Sequence, residues 1–379
     1  MLRGKVVKRK IIISLGLIVL FFSLIFIYTK KSTMLSVKRS TAAIKSSQIL
    51  PRATNFAQYN TLRSSKLNTL NRKILGQEYI GAYVVSKNNN VVNSMGTGYA
   101  NASEKQPFNY NSTVRVGNLE SEINAILLMK TLKDSKISLS TRLNKYVPEL
   151  DDKISINANQ LLKMNLNISV DSKKLIGLNE KNATEKYFNM LKINNTVSKL
   201  QQQKANQILL AIVLKRLNHS SYKAVLNSFL QKNELDGSRI IDSYSFSERT
   251  DVLSYHMSKS KNRTLQYDKP YKNVDDTYIW GIDQLRMSMI DMVNLVRLFN
   301  SENFSDSQIT TLNNYGKMLN IWKKSKNNIY YSLSSHGFRT YIMAESNIKR
   351  IVISSENYPN TGTSKLRLTK SIYSSLFDD

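Results

Sequence analysis

The sequence contains three Ser-x-x-Lys strings, a spacing in which the Ser hydroxyl could act as a nucleophile and the Lys amine as its base. They are Ser220–Lys223, Ser258–Lys261 and Ser346–Lys349. On a helix, side chains three residues apart lie on one face, so the amine can take the proton of the hydroxyl. The second string lies in a polar stretch and the third in the turn of a predicted hairpin, and neither opens a buried helix. Only the first string stands where a helix could begin.

Metal and thiol chemistry find little support in the sequence. The chain has no Cys, which excludes zinc fingers and thiol catalysis. Its three histidines, His219, His256 and His336, are spread along the chain without paired acidic spacing. We therefore predict no metal site and no cofactor, and we interpret His336, next to a glycine, as a half-exposed strand residue.

The charge of the chain is unevenly distributed. The formal net charge is +28, and residues 1–77 hold 15 Lys and Arg but no Asp or Glu, which leaves 40 basic and 27 acidic residues in the rest. A basic excess of this size is compatible with nucleic acid, anionic lipid or another anionic polymer as a partner. The location of the basic segment has to decide among them.

A membrane anchor is predicted at residues 11–28. This run has 18 residues without a charge, and at ~1.5 Å per residue it spans ~27 Å of a hydrocarbon core about 30 Å thick. The run ends in Tyr28-Thr29-Lys30-Lys31 without a small-x-small cleavage site, which favours an uncleaved anchor. Five basic residues in the tail, residues 1–10, favour a cytoplasmic N-terminus.

This orientation predicts a single-pass protein of the cytoplasmic membrane with its main domain outside. Lys30 and Lys31 weaken the charge signal, but a ten-residue tail is more easily retained than a large domain. Nucleic acid is then excluded as a partner. Residues 29–75, rich in Ser, Thr, Asn, Lys and Arg, are interpreted as a basic stalk, which could bind anionic cell-wall polymers or lipid headgroups or could be only a solvated linker.

The body, residues 76–379, shows strand patterns at both ends and helix patterns between them. A hairpin is predicted from Gly81 to Gly96 around an Asn-rich turn, and another joins Thr340–Glu345 to Arg350–Ser355. Buried helices are predicted from about Asn118 to Leu132 and from Asn206 to Leu217. Leu366–Phe377 favours a closing helix. The pattern predicts an α+β domain in which the terminal hairpins share one antiparallel sheet.

Several junctions in this order resemble the serine beta-lactamase and penicillin-binding protein family, in its class C beta-lactamase and D-alanyl-D-alanine carboxypeptidase branch. Gly96–Asn101 is similar to the family's G-x-G-Y-A-D turn, and Leu139–Leu150 to its L-x-D-P-V-x-K-Y-L-P-E-L segment. Asn206–Ala211 and Ser221–Leu226 resemble its N-Y-x-L-L-G and S-Y-x-x-F-L segments. The resemblance implies a beta-lactamase/transpeptidase-like fold with a helical subdomain between the strands.

The same resemblance implies a nucleophilic Ser at a helix N-terminus and a Lys three residues further on. The aligned positions hold Asn118 and Ser121, and Ser220–Lys223 falls at a different segment of the family pattern. An Asn side chain cannot form an acyl-enzyme, and the loss of such a nucleophile can cost on the order of a million-fold in rate. The first catalytic motif is therefore lost.

The other two motifs are altered as well. The family's Y-x-N motif aligns with Gln202, Gln203 and Lys204, which removes the phenol. Its H-x-G or K-x-G motif aligns with Ser335, His336 and Gly337, where the glycine remains and the His is displaced by one place. The sequence therefore predicts a catalytically degenerate protein.

We expect this protein to bind or scaffold at the bacterial cell wall or membrane surface. The family handles peptidoglycan stems or D-alanyl esters, which the resemblance suggests as ligands. One alternative is an active esterase or D-alanyl peptidase with a rewired pair, Ser121 and Lys204. Another is a purely structural membrane partner whose stalk binds lipid headgroups.

Overall fold

The described structure begins at residue 64. The computed structural model describes residues 64–76, 79–151, 153–193, 198–241, 251–259, 265–270, 278–301, 304–318, 322–324, 328–358 and 366–378. The predicted tail 1–10, the predicted anchor 11–28 and most of the predicted stalk lie outside these residues. Within the described ranges, no helix is long and apolar enough to cross a membrane.

A six-stranded antiparallel sheet joins the two ends of the domain. Its order is β12-β13-β14-β15-β1-β2, so the N-terminal strand β1 lies between β2 and the C-terminal strand β15. The strands are β1 (Gly81–Lys87), β2 (Asn90–Thr97), β12 (Trp322–Lys324), β13 (Asn328–Ser335), β14 (Phe338–Glu345) and β15 (Arg350–Glu356). This confirms the predicted sheet of N- and C-terminal strands. The turn between β1 and β2 is Asn88-Asn89, both with positive φ, as a two-residue hairpin with the right-handed twist requires.

Alternating side chains of β1 separate two hydrophobic clusters. Ala82 and Val84 belong to the main core, whereas Tyr83 and Val85 belong to a smaller cluster on the other face. This period of two is the strand geometry that the sequence pattern indicated. The sheet therefore has one face toward the helical part of the domain and one face covered separately.

Two helices cover the second face. They are α1 (Ser65–Gly76) and the closing helix α9 (Leu366–Phe377), which contact each other. Leu67 of α1 is 1% exposed and packs in the smaller cluster with Ile372 and Tyr373 of α9. The helix α1 falls within the range predicted as stalk, but it packs on the sheet as part of the domain.

The helical part of the domain lies between β5 and β12 in the chain. Its helices are α2 (Leu119–Asp134), α3 (Ala158–Leu162), α4 (Glu180–Met190), α5 (Lys199–Leu217), α6 (Tyr222–Lys232), α7 (Met289–Ser301) and α8 (Asp306–Met318). A small antiparallel sheet of order β5-β11-β8 accompanies them. Its strands and the remaining short ones are β3 (Tyr99–Asn101), β4 (Gln106–Pro107), β5 (Thr113–Arg115), β6 (Ile168–Ser169), β7 (Lys192–Ile193), β8 (Ser238–Ile240), β9 (Tyr255–Lys259), β10 (Leu265–Pro270) and β11 (Leu285–Ser288).

Helix α2 lies at the centre of this arrangement. It contacts α5 and α8, and its side chains are buried almost all round, including polar ones in its first turns. The predicted helix from about Asn118 to Leu132 is confirmed, with Asn118 as its N-cap residue. The polar residues at the start of α2 are therefore held inside the domain, where each one needs a partner.

Candidate functional site

The start of α2 is fixed by the small sheet. Strand β5 pairs with β11, and directly after it the Val116 N–H donates to the carbonyl of Leu285 at 3.3 Å. Asn118 follows at the N-cap, but its side chain does not cap the helix. Instead its Oδ1 accepts a hydrogen bond from Gln207 Nε2 of α5 at 3.4 Å. The position predicted to align with the family nucleophile thus holds an amide directed at a neighbouring amide.

Gly117 brings this helix start against the end of β13. Its φ is +52°, and a Cβ at this position would lie 3.1 Å from the carbonyl oxygen of Ser334 and 3.2 Å from Cβ of Ser335. A residue with a side chain would be both strained and crowded there. The glycine therefore allows Ser335 to lie beside the start of α2.

Ser335 and His336 converge on Asp283, which precedes β11. Ser335 Oγ donates to Asp283 Oδ1 at 2.9 Å, and His336 Nδ1 lies 3.2 Å from Asp283 Oδ2 and 3.0 Å from Ser335 Oγ. His336 and Gly337 both have positive φ and form the two-residue turn between β13 and β14. The prediction of His336 as a strand residue is wrong, because the hairpin turn requires left-handed conformations at both of these positions.

Asp283 is held in its ionised form. Burial is the largest single effect and raises its pKa, but the charge of Arg115, the hydrogen bond and charge of His336 and the charge of Lys204 together outweigh it, so the pKa of Asp283 is lowered. The fully buried Arg115 donates to the Asp283 carbonyl at 2.8 Å and lies 3.6 Å from Oδ2. A carboxylate with a lowered pKa is a weak base, so it orients the Ser335 hydroxyl without taking its proton.

This cluster differs from a catalytic Ser-His-Asp triad. In a triad the two imidazole nitrogens have separate partners, one toward the Ser and one toward the Asp. Here the same atom, His336 Nδ1, faces both Ser335 and Asp283. The arrangement links the hairpin turn to the start of β11 and does not prepare the Ser for attack.

Glu120, in the first turn of α2, is a buried carboxyl with three donors. Its Oε1 accepts from the Tyr222 hydroxyl at 2.7 Å, and its Oε2 accepts from the backbone N–H groups of Gln284 at 2.5 Å and Leu285 at 2.8 Å. Burial nevertheless raises the pKa of Glu120 from 4.5 to about 7, although these hydrogen bonds favour the charged form. Glu120 therefore titrates near neutral pH.

Lys204 brings a cation close to these acidic groups. It lies on α5 and is half-buried. Burial lowers the pKa of Lys204, and the charges of Asp283 and Glu120 partly oppose this effect. Two residues earlier on the same helix, Gln202 Nε2 donates to the carbonyl of Leu166 at 3.1 Å. The structure thus brings Lys204 near the start of α2, whereas the Gln202 amide is used in a structural contact.

Ser121 lies one turn inside α2 and is 1% exposed. Its Oγ is buried and has no hydrogen-bond partner among the described residues, and this includes Lys204. The proposed pairing of Ser121 with Lys204 stays a hypothesis. Among the described residues, no three His, Asp or Glu side chains converge on a site that could hold a metal ion.

Sequence reasoning missed Glu120, Asp283 and Tyr222. A signal was present for Glu120, because an acidic residue inside an apolar helix has to find buried donors. Asp283 and Tyr222 carry no comparable signal. Their importance arises from contacts with residues more than 50 positions away along the chain.

Solved structures that are similar to this chain include a penicillin-binding protein and a class C beta-lactamase. No protein-family model matches the sequence, and no curated protein matches it. Among solved structures, FmtA from Staphylococcus aureus is similar with a TM-score of 0.64 and 17% identity, covering 86% of this chain and 92% of that one.

Two further structures show the same likeness. A penicillin-binding protein from Bacillus halodurans has a TM-score of 0.59 and 11% identity, covering 81% of this chain and 98% of that one. A class C beta-lactamase from Rhodobacter sphaeroides has a TM-score of 0.54 and 13% identity, covering 82% of this chain and 98% of that one. These similarities and the observed sheet order agree with the predicted resemblance. The chain has the fold shared by serine beta-lactamases and penicillin-binding proteins.

Proposed function

We propose that this protein is a catalytically degenerate member of this fold, which binds a cell-wall or membrane-surface component without cleaving it. The observation that carries the proposal is Asn118 at the start of α2, with its amide bonded to Gln207. An amide lacks the hydroxyl or thiol that an acyl-enzyme requires. Loss of such a nucleophile reduces the rate by as much as about a million-fold.

The neighbouring hydroxyls do not replace the missing nucleophile. Ser335 donates its hydrogen to Asp283, whose pKa is lowered, and the neighbouring His336 Nδ1 faces this same carboxylate, so the Ser335 hydrogen is directed at a weak base. Ser121 is almost completely buried, and a substrate could reach it only if the first turn of α2 moved. Both observations support the absence of turnover.

The similar proteins support a role at the cell wall. They include a penicillin-binding protein and a class C beta-lactamase. We extend this to the present chain and place its domain at the outer face of the cytoplasmic membrane, anchored by residues 11–28. The basic stalk then faces anionic wall polymers or lipid headgroups.

Purified full-length chain mixed with isolated cell walls tests this proposal. We expect the protein to sediment with the walls and to release no D-alanine above the protein-free blank. Lys204→Gln should reduce the sedimented fraction, because Lys204 is the cation next to the start of α2, whereas the exposed Lys186→Gln on α4 should not. Release of D-alanine that increases with protein concentration would refute the proposal.

The second candidate function is a rewired hydrolase that uses Ser121 and Lys204. The observation in its favour is the lowered pKa of Lys204, because an amine with a lowered pKa is the kind of base such chemistry needs. Hydrolysis of p-nitrophenyl acetate by the wild type and by Ser121→Ala tests this alternative. Equal rates would rule it out.

A further inference from the structure

A cavity lies beside Tyr222, the residue that donates to Glu120. It has a volume of about 840 Å³ and is bounded by α4, the C-terminal end of α5, the start of α6 and the segment before β11. Asn118, Lys204, Ser335 and His336 do not line it. Its α5 residue is Lys215, eleven positions beyond Lys204, or roughly 16 Å along the helix axis. The cavity therefore shares Tyr222 and Gln284 with the contacts of Glu120 but includes none of the residues that aligned with catalytic motifs.

The apolar part of this cavity is aromatic. Trp280 and Tyr222 pack edge to face with ring centroids 5.2 Å apart, and Tyr278 and Phe188 also line the space. Three of these rings are almost fully buried, whereas Phe188 is half-buried. Cavities of roughly 300–1,000 Å³ with aromatic walls and a few polar groups are typical of small-molecule sites.

The charged residues of the lining balance one another. They are three acidic and three basic side chains, Glu149, Glu180, Glu185, Lys181, Lys215 and Lys223. Glu180 pairs with Lys215 at 2.6 Å, and Glu149 forms a bidentate pair with Arg216 at 2.6 Å. Because two of the carboxylates already have cationic partners, the cavity needs no charged ligand, while their remaining lone pairs can accept hydroxyl hydrogens.

We propose that this cavity binds an uncharged sugar ring. A sugar ring has an apolar C–H face that fits aromatic side chains and hydroxyl groups that donate to carboxylate and amide oxygens. Phe188, whose ring centroid lies 5.6 Å from the Arg216 guanidinium, supplies apolar contact through the part of its ring that Arg216 leaves free, and the exposed Glu185 and Asn189 supply acceptors. This proposal does not rest on the proposed function, because it involves none of the residues that aligned with catalytic motifs.

Isothermal titration calorimetry of the purified full-length chain tests this proposal, with the N-acetylglucosamine disaccharide as the probe. We expect saturable binding that Phe188→Ala weakens at least tenfold and that Leu200→Ala, an exposed position outside the cavity lining, leaves unchanged. Glu185→Gln, at an exposed position, should weaken binding severalfold and keeps the test valid if Phe188→Ala does not fold.

Three results would overturn this proposal. They are the absence of saturable binding, equal binding by the wild type and both lining variants, and tighter binding of glucose 6-phosphate than of the uncharged probe. None of them bears on catalysis at α2, so failure of this proposal can be distinguished from failure of the proposed function.

Discussion

Replacement of Glu120 by Gln should stabilise the protein at alkaline pH and have a smaller effect at acidic pH. Glu120 is fully buried, and its pKa is raised from 4.5 to about 7. A carboxyl with a raised pKa in the folded state destabilises that state whenever the unfolded chain is ionised. The penalty is absent below pH 4.5, grows as the pH rises, and is complete above pH 7. Gln resembles the protonated form and avoids this penalty.

The magnitude follows from the two pKa values. The difference between 4.5 and about 7 corresponds to about 3 kcal/mol of unfolding free energy at pH 8 and about 1 kcal/mol at pH 5. The pKa of about 7 already includes the hydrogen bonds that favour the carboxylate, so these figures are net values. The advantage of Glu120→Gln over the wild type should therefore grow by up to about 2 kcal/mol from pH 5 to pH 8.

Urea unfolding at pH 5 and pH 8 measures this difference. Glu122→Gln is a matched comparison, because Glu122 is also buried in α2 and burial raises its pKa to about 8. The stability penalty of the ionised Glu122 should therefore keep growing up to about pH 8, and so should the advantage of Glu122→Gln over the wild type. The exposed Glu104→Gln is the control and should change stability equally little at both pH values. If Glu120→Gln changes stability by the same amount at pH 5 and pH 8, the account of this buried carboxyl is wrong.

Three further predictions concern the support of the site and the stalk. Tyr222→Phe removes the hydroxyl that donates to Glu120, and in urea unfolding it should lower the free energy of unfolding by about 1–3 kcal/mol. The loss should be larger at pH 8, because this hydrogen bond favours the charged carboxylate. Gly117→Ala should lower the melting temperature by several degrees because of its positive φ and the crowding against β13, and an unchanged melting temperature would contradict the geometry described for the start of α2. Deletion of residues 30–63 from the full-length chain should weaken its retention on anionic wall polymer at low salt. Moderate salt should elute the intact chain. Equal retention of the two proteins would place the binding surface on the folded domain.

The elements with a clear hydrophobic period were predictable from the sequence. The closing helix Leu366–Phe377 was predicted with its observed bounds, and the hairpin around Asn88 also formed as expected. The start of α5 was missed by about two turns. Its first residues, Lys199 to Lys204, are mostly polar and show no apolar period, so only packing in the folded domain identifies them as helical.

The candidate site was only partly predictable, because its electrostatics depend on tertiary contacts. The sequence located Asn118 and Lys204, but the burial of Glu120 depends on Tyr222 and the backbone of Gln284, 102 and 164 positions away. The sequence also did not show that the end of the predicted stalk forms helix α1 and packs on the domain, because this contact is tertiary. Helix α1 is amphipathic but mostly polar in composition, and its contact with α9 lies about 300 residues further along the chain.

The most direct test of the central claim is incubation of the purified full-length chain with a fluorescent penicillin, followed by denaturing electrophoresis. A penicillin-binding protein of the same fold serves as the positive control in the same gel. With Asn118 at the start of α2 and no activated hydroxyl beside it, the account predicts no fluorescent band from this chain after denaturation. A covalent band that survives denaturation would contradict it.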